Sequence, residues 1–288
     1  MSRFVWRLTD RELVIDRPLV MGIVNATPDS FSDGGQFLDP AAAVAHALDL
    51  VAQGADLLDI GGESTRPGSQ PVSLDEELRR VVPVVGGLAA QTKTPISIDT
   101  SKAEVARQCI AAGAAIINDV SALRGDPAMA EVAQQSGAGV ILMHMQGTPA
   151  TMQQDPQYKD VIAEVYEFFE QRVRELTQFG LALEQLAVDP GIGFGKTKAH
   201  NLQLLAGLAH FQQLGRPVCL GVSRKGFIGG IAGRPPLERI AGSLAAACHA
   251  LTNNAVQILR VHDIAPTADA VKVIQAINGS LVVEAARL

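Results

Sequence analysis

Residues 19–25 read LVMGIVN, an uncharged and mostly aliphatic run that stops at an amide. A half-buried strand alternates apolar with polar residues, whereas an uninterrupted apolar run marks a strand covered on both faces, as in a parallel sheet. Runs of the same kind return at LLDIGG (57–62), ISIDT (96–100), IINDV (116–120), GVILMHM (139–145), LAVDPG (186–191), VCLGVS (218–223) and VQILRVH (256–262). Between them lie segments with helical spacing of apolar residues, among them PAAAVAHALDLVAQGA (40–55), DEELRRVVPVVGGLAA (75–90) and AEVARQCIAAGA (103–114). Eight such strands alternating with helices predict an α/β fold, a (β/α)8 TIM barrel. An open doubly wound sheet would need two edge strands of weaker apolar character, and none stands out.

Gly54, Gly113, Gly137 and Gly180 fall where four helices should end, since a left-handed cap costs least without a Cβ. No linker or shift of composition interrupts the series, which predicts one domain over residues 1–288, with residues 1–17 as an extension, hairpin or plug at the barrel bottom.

The balance of 24 basic and 30 acidic residues gives a formal charge of -6. Such a surface offers no general attraction to nucleic acid or to an anionic membrane, and neither is expected as a partner. Cys109, Cys219 and Cys248 are widely spaced among apolar neighbours without a CxxC pair, as expected of structural thiols in a reducing, cytoplasmic compartment. The stretch MSRFVWRLTDRELVID has charges every few residues and lacks the apolar core of a signal peptide. IAGSLAAACHALTNNAVQIL (240–259) carries Ser, His, Asn and Gln, which suits a buried or interface helix rather than a lipid-facing one.

In a barrel of this kind the site forms at the C-terminal ends of the strands. There the sequence sets Asn25, Asp59, Glu63 to Arg66, Asp99, Asn118 with Asp119, His144, Asp189, Ser223 to Lys225, and Arg260 with His262. Any one Asp at a strand end also reads as a cap for the next helix, and Asp99 and Asp119 are open to that reading. Asp59 and His144 read as supports rather than as direct participants. His46, His200, His210 and His249 lie in helical segments and read as surface or packing residues. Polar residues at every strand end are a stronger signal than any one of them.

Lys225, Arg260, Arg66 and His262 gather positive charge at one mouth of an acidic protein, and Gly34, Gly35, Gly61, Gly62, Gly229 and Gly230 allow backbone amides close to a ligand. A phosphorylated small molecule follows, although neither the P-loop spacing nor GxGxxG is present. Asp99, Asn118 and Asp189 are groups that read a heterocycle, since a carboxylate accepts two parallel N–H donors from an aminopyrimidinone edge.

In this order, NATPDSFSDGG (25–35), DIGGESTRPG (59–68), SIDTSK (97–102), INDVS (117–121), MHMQGTP (143–149), DPGIGFGKT (189–197), SRKGFIG (223–229) and RVHD (260–263) closely resemble the signature segments of dihydropteroate synthases, over residues 18 to 265 or so. The resemblance implies condensation of 6-hydroxymethyl-7,8-dihydropterin diphosphate with 4-aminobenzoate in folate biosynthesis, giving 7,8-dihydropteroate and pyrophosphate. It implies a pterin site of Asp99, Asn118, Asp189 and Lys225, and a catalytic group of Asp99, Lys225, Arg260 and His262. Asn25, Thr65, Arg66, Arg260 and His262 would meet the diphosphate, with Mg2+ held by Asn25 and Asp33. Phe31, Arg66, Pro67 and Gly226 would meet the aminobenzoate, and sulfonamides would inhibit there. Many family members have Ser where this chain has Gly226. The resemblance also suggests a homodimer through the last two helices.

Two readings compete with the synthase. A methyltetrahydrofolate-dependent methyltransferase shares the barrel and pterin pocket but needs no diphosphate site, and the ESTRPG and SRKGFIG segments speak against it. A noncatalytic pterin-binding paralogue stays open at the level of sequence. A Lys225 Schiff-base aldolase is a weaker fit, because Asp99 and Asp189 favour the ammonium form of the lysine.

Overall fold

Residues 3–26, 39–65 and 69–285 are described in a computed structural model. Strands β1 (Phe4–Arg7) and β2 (Glu12–Ile15) form an antiparallel hairpin, as expected of the leading segment. Eight parallel strands follow: β3 (Leu19–Asn25), β4 (Leu57–Gly61), β5 (Ile96–Asp99), β6 (Ile116–Asp119), β7 (Gly139–Met143), β8 (Leu186–Asp189), β9 (Cys219–Leu220) and β10 (Ile258–Val261). They pair in the order β8-β7-β6-β5-β4-β3-β10-β9. A parallel bridge between Val188 and Val218 joins the two ends of that order, so the sheet closes on itself.

The interleaved helices are α1 (Pro40–Ala52), α2 (Leu74–Ala89), α3 (Ala103–Ala111), α4 (Met129–Ser136), α5 (Val161–Phe179), α6 (Lys198–Ala206), α7 (Gly226–Ala232), α8 (Ile240–Thr252) and α9 (Ile264–Ala285). Their starts are written locally. Asp39, Ser73, Asp160 and Thr197 each accept a hydrogen bond from a first-turn amide of α1, α2, α5 and α6. The four expected terminal glycines all have positive φ. At Gly113 a Cβ would also meet the Ala89 side chain at 2.5 Å, so conformation and packing demand the same residue.

Two apolar layers hold the barrel. The larger lies between sheet and helices, where Val24, Leu58, Ile98, Val140 and Leu259 meet Val84, Val105, Phe169 and Phe211. The smaller fills the barrel bottom, where Trp6, Leu8 and Ile15 of the hairpin region pack with Leu19, Met21, Leu57, Ile116, Ile141 and Ile258. The Trp6 indole N–H donates to the Gln185 carbonyl at 2.8 Å, satisfying its one polar atom inside that plug.

One strand is shorter than the sequence predicts. VCLGVS suggests a strand to Ser223, yet only Cys219–Leu220 is paired as β9. From Gly221 onward the chain leaves the sheet to line the cleft beside Asp189, and Arg224 turns it with φ of 57°.

Candidate active site

Parallel register sets the heterocycle-reading residues side by side. Asp99 at the end of β5 is the direct neighbour of Asn118 on β6, and Met143 on β7 is the neighbour of Asp189 on β8. With Thr65, Lys225 and Arg260 they line one cleft, whose remaining wall includes Val120, Gly191, Ile192, Phe194 and Gly221. Thus six of the expected residues converge from six different strands or the loops after them.

The charges are tightly organised. Arg260 donates through Nε to Asp59 Oδ2 at 2.5 Å and through a terminal nitrogen to Asp99 Oδ2 at 2.6 Å. Burial works against its charge, but the two carboxylates prevail and hold it above the ordinary arginine value. Burial likewise pushes Asp99 up to about 7, opposed by Arg260 and reinforced by Asp59, Asp119 and Glu77. Asp189 is raised by burial, against the Gly191 N–H that donates to it at 2.8 Å and the charges of Lys225, Arg260 and Lys196. Lys225 Nζ stands 4.1 Å above the centre of the Phe194 ring, a cation–π contact at the cleft wall.

The loops around the cleft are braced from behind. Lys102 bridges Glu63 and the buried Glu77, whose other oxygen accepts from Thr100 Oγ1 at 2.6 Å, which ties the segment leading to Thr65 to α2 and α3. Arg224 forms a two-pronged pair with Asp263, at 3.0 and 2.5 Å, and its amide donates to Ser243 Oγ at 2.9 Å. Ser223 Oγ lies 3.0 Å from His262 Nδ1 and accepts from the His262 amide at 3.2 Å, joining the loops after β9 and β10.

Beneath the β8–α6 loop, Lys196 is buried with three acceptors around its Nζ: His144 Nδ1 at 3.0 Å, the His144 carbonyl at 3.2 Å and the Phe194 carbonyl at 2.9 Å. Burial lowers Lys196 to about 7 and, together with the Lys196 charge, His144 to about 2, so the imidazole stays neutral and its Nδ1 serves as an acceptor.

Asn25 ends β3 beside Gly61, outside the residues that line the cleft. Gly226 opens α7 with open space where a Cβ would stand, so nothing local requires glycine there. Phe31, Asp33, Gly34, Gly35, Arg66 and Pro67 lie outside the described residues. Asp99 caps no helix, since Lys102 occupies that position before α3. Asp119 caps no helix either, since Ala128 stands at that position before α4; it accepts from the Ser121 amide and hydroxyl and from the Leu123 amide, and so shapes the loop that carries Val120. Asp59 is a support, as expected, through Arg260 and Asn118.

Sequence reasoning missed Phe194, Lys196, Met143, Val120 and Ile192. The only local signal was GIGFGKT itself, whose lone aromatic and lone lysine sit among glycines directly after a strand.

A family model described as pterin binding enzyme matches residues 21–262. The dihydropteroate synthase of Escherichia coli K12 is 48% identical over 264 residues, 92% of this chain and 93% of that protein. The structure of Xanthomonas albilineans dihydropteroate synthase with 4-aminobenzoic acid superposes with a TM-score of 0.89 at 50% identity, covering 95% of this chain and 98% of that one. The Yersinia pestis dihydropteroate synthase, in a sulfonamide drug complex, gives a TM-score of 0.90 at 43% identity, over 96% and 100% of the two chains. A cleft whose acidic and amide groups suit a pterin edge, on a barrel matched over nearly its whole length, therefore belongs to a member of the pterin-binding enzyme family, among the dihydropteroate synthases.

Proposed function

We propose that this chain condenses 6-hydroxymethyl-7,8-dihydropterin diphosphate with 4-aminobenzoate to form 7,8-dihydropteroate and pyrophosphate, a step of folate biosynthesis. The observation that carries the reading is the convergence of Thr65, Asp99, Asn118, Asp189, Lys225 and Arg260 on one cleft, in a chain that shares close to half its residues with dihydropteroate synthases. Asp189 takes the paired N–H donors of the pterin ring, Asn118 the adjacent edge, and Lys225 the ring carbonyl and the nitrogen beside it. Phe194 gives the ring an apolar face.

The carbon–oxygen bond to the diphosphate breaks first, releasing pyrophosphate and leaving a delocalised pterin cation. The aminobenzoate nitrogen then forms the new carbon–nitrogen bond and loses a proton. Asp99 stabilises the positive charge that develops on the ring, and a site already polarised before reaction spends little reorganisation on it. Arg260, His262, Thr65 and Arg66 receive the diphosphate. Phe31, Pro67, Arg66 and the first amides of α7 at Gly226 receive the aminobenzoate, and sulfonamides compete there, as the Yersinia pestis complex suggests.

Magnesium suits this donor set. Among the described residues no cluster of three or more His, Cys, Asp or Glu forms a dedicated metal cage. Mg2+ takes few protein ligands and keeps water and phosphate oxygens, so the Asn25 amide oxygen at the strand end, with Asp33, is a sufficient anchor. When bound, the ion supplies charge neutralisation for the departing diphosphate.

Two broader features belong to the same reading. Val273 and Ile277, one turn apart on α9, are more than half exposed, and Ile231 and Leu237 add apolar surface on and after α7, which supports a homodimer through the C-terminal helices. Three free cysteines, of which Cys109 and Cys219 are buried, support a reducing, cytoplasmic setting.

The test is to mix purified protein with Mg2+, the dihydropterin diphosphate and 4-aminobenzoate and to follow both products. Equal formation of dihydropteroate and pyrophosphate, abolished by EDTA and restored by Mg2+, is expected. Tight pterin binding without either product would overturn the synthase in favour of a noncatalytic pterin-binding protein.

A further inference from the structure

Asp59 sits mid-strand in β4 with no exposed surface, and it touches the cleft only through other residues. Its Oδ2 accepts both from Arg260 Nε at 2.5 Å and from Asn118 Nδ2 at 3.0 Å. Its Oδ1 has no hydrogen-bond partner among the described residues. A buried carboxylate with one bare oxygen is a poor device for stability alone, because desolvation offsets much of what the ion pair returns.

What it does for its neighbours is more specific. Paired with Arg260, Asp59 is a carboxylate and can only accept hydrogen bonds. Asn118, whose side chain has one donating and one accepting end, must therefore turn its NH2 toward Asp59. Its carbonyl oxygen is left for the cleft that Asn118 lines. The same carboxylate holds Arg260 by its Nε edge, which leaves a terminal nitrogen to reach Asp99.

We infer that Asp59 is a positioning residue for ring recognition: it sets the hydrogen-bond polarity of Asn118, so that the cleft wall accepts hydrogen bonds and selects a heterocycle carrying N–H donors on that side. Asp189 and the Asn118 carbonyl then form an accepting wall, faced by the donor Lys225. Such a wall takes a 2-amino pteridine and disfavours a 2-oxo pteridine, in which a carbonyl replaces the amino group and would confront an accepting oxygen. This rests on the pterin reading given above, and it adds which residue outside the cleft makes the choice.

The experiment measures the dissociation constants of 6-hydroxymethylpterin and its 2-oxo analogue by calorimetry, for the wild type, for Asp59→Leu, which removes the acceptor, and for Asp59→Asn, which retains one. In Asp59→Leu no acceptor remains to hold the Asn118 NH2, so the amide is free to turn either end toward the ligand, and the preference for the 2-amino ring is expected to fall about tenfold or more. The KM for 4-aminobenzoate is expected to change less than threefold or so, since that ligand is not read by Asn118.

Asp59→Asn keeps both hydrogen bonds, because Arg260 and Asn118 meet the same oxygen, Oδ2, and an amide carbonyl can stand in its place. Asn118 then still turns its NH2 away from the ligand, so the preference stays within about threefold of the wild type. Because it is nearly isosteric with the wild type, Asp59→Asn remains informative even where Asp59→Leu folds poorly. An unchanged preference in a folded Asp59→Leu, or a lost preference in a folded Asp59→Asn that still binds the ring, would overturn the inference. Failure of the wild type to bind 6-hydroxymethylpterin would instead overturn the functional reading beneath it.

Discussion

Asp99 feels two opposed forces within hydrogen-bond distance. Burial resists its charge while Arg260 at 2.6 Å favours it, and burial prevails, with the carboxyl pushed up to about 7. A carboxyl raised above its unfolded value holds a proton in the folded state over a window, from about pH 4 to about 7, where the unfolded chain has released it. In that window the native state binds more protons, so this group's contribution to stability is fully present at low pH and is lost as the pH rises through 7. Asp99→Asn does not titrate and escapes the loss. Urea unfolding at pH 5 and pH 8 should show the wild type losing stability relative to Asp99→Asn by about 1 kcal/mol or more as pH rises. The opposite trend would mean that the Arg260 pairing dominates and that Asp99 lies below the ordinary carboxylate range.

At the scale of an element, the segment between β8 and α6 carries the densest set of constraints. Gly191 has φ of 69°, and a Cβ there would stand 1.9 Å from the His144 carbonyl oxygen, a backbone atom that cannot give way. Gly191→Ala should therefore displace the loop, destabilise the protein by about 3 kcal/mol or more, and remove pterin binding; thermal unfolding and calorimetry measure the two effects. Lys196→Met is milder. It leaves the His144 and Phe194 carbonyls without the buried donor that joins them, and a loss of about 2–4 kcal/mol is expected in urea unfolding, with weaker pterin binding as Phe194 shifts. The glycines of GIGFGKT are easily seen in the sequence, but the role of its lysine is not. Residue spacing alone cannot tell that Lys196 turns inward under the loop while Lys198, two residues on, is exposed.

For the whole molecule, the eight described barrel strands close on one another, so the homodimer proposed above is assigned to helices rather than to a barrel edge. Val273 and Ile277 recur at i and i+4 on α9 and are 57% and 54% exposed, which sets two aliphatic side chains side by side on its outer face. Replacing both with Glu should halve the mass seen by light scattering at micromolar concentration, with little change in the melting of the barrel. A wild type that is already monomeric would remove the dimer from the reading without touching the site. Packing at the other end is separate. Trp6 is wholly buried in the bottom plug, and Trp6→Ala should cost about 3–5 kcal/mol in urea unfolding while leaving pterin affinity nearly unchanged, since the plug lies at the end of the strands opposite the cleft.

The barrel itself was legible in the sequence, because a strand buried on both faces must be apolar throughout and a helix packed on it must be apolar at helical spacing. Both are local patterns that any stretch carries by itself. The positions of Asn25, Asp99, Asn118, Asp189 and Lys225 followed from the same pattern, since each stands where an apolar run gives out. The shortness of β9, the cation–π pair of Lys225 with Phe194, the buried Lys196 and the polarity that Asp59 imposes on Asn118 did not follow. Asp59 meets Arg260 across 201 residues of chain and Asn118 across 59, and those meetings depend on the stagger and closure of the sheet. Local propensity determines which elements form and which ends are polar; only the closed barrel decides which polar atoms face one another, and hydrogen-bond direction depends on those distant neighbours.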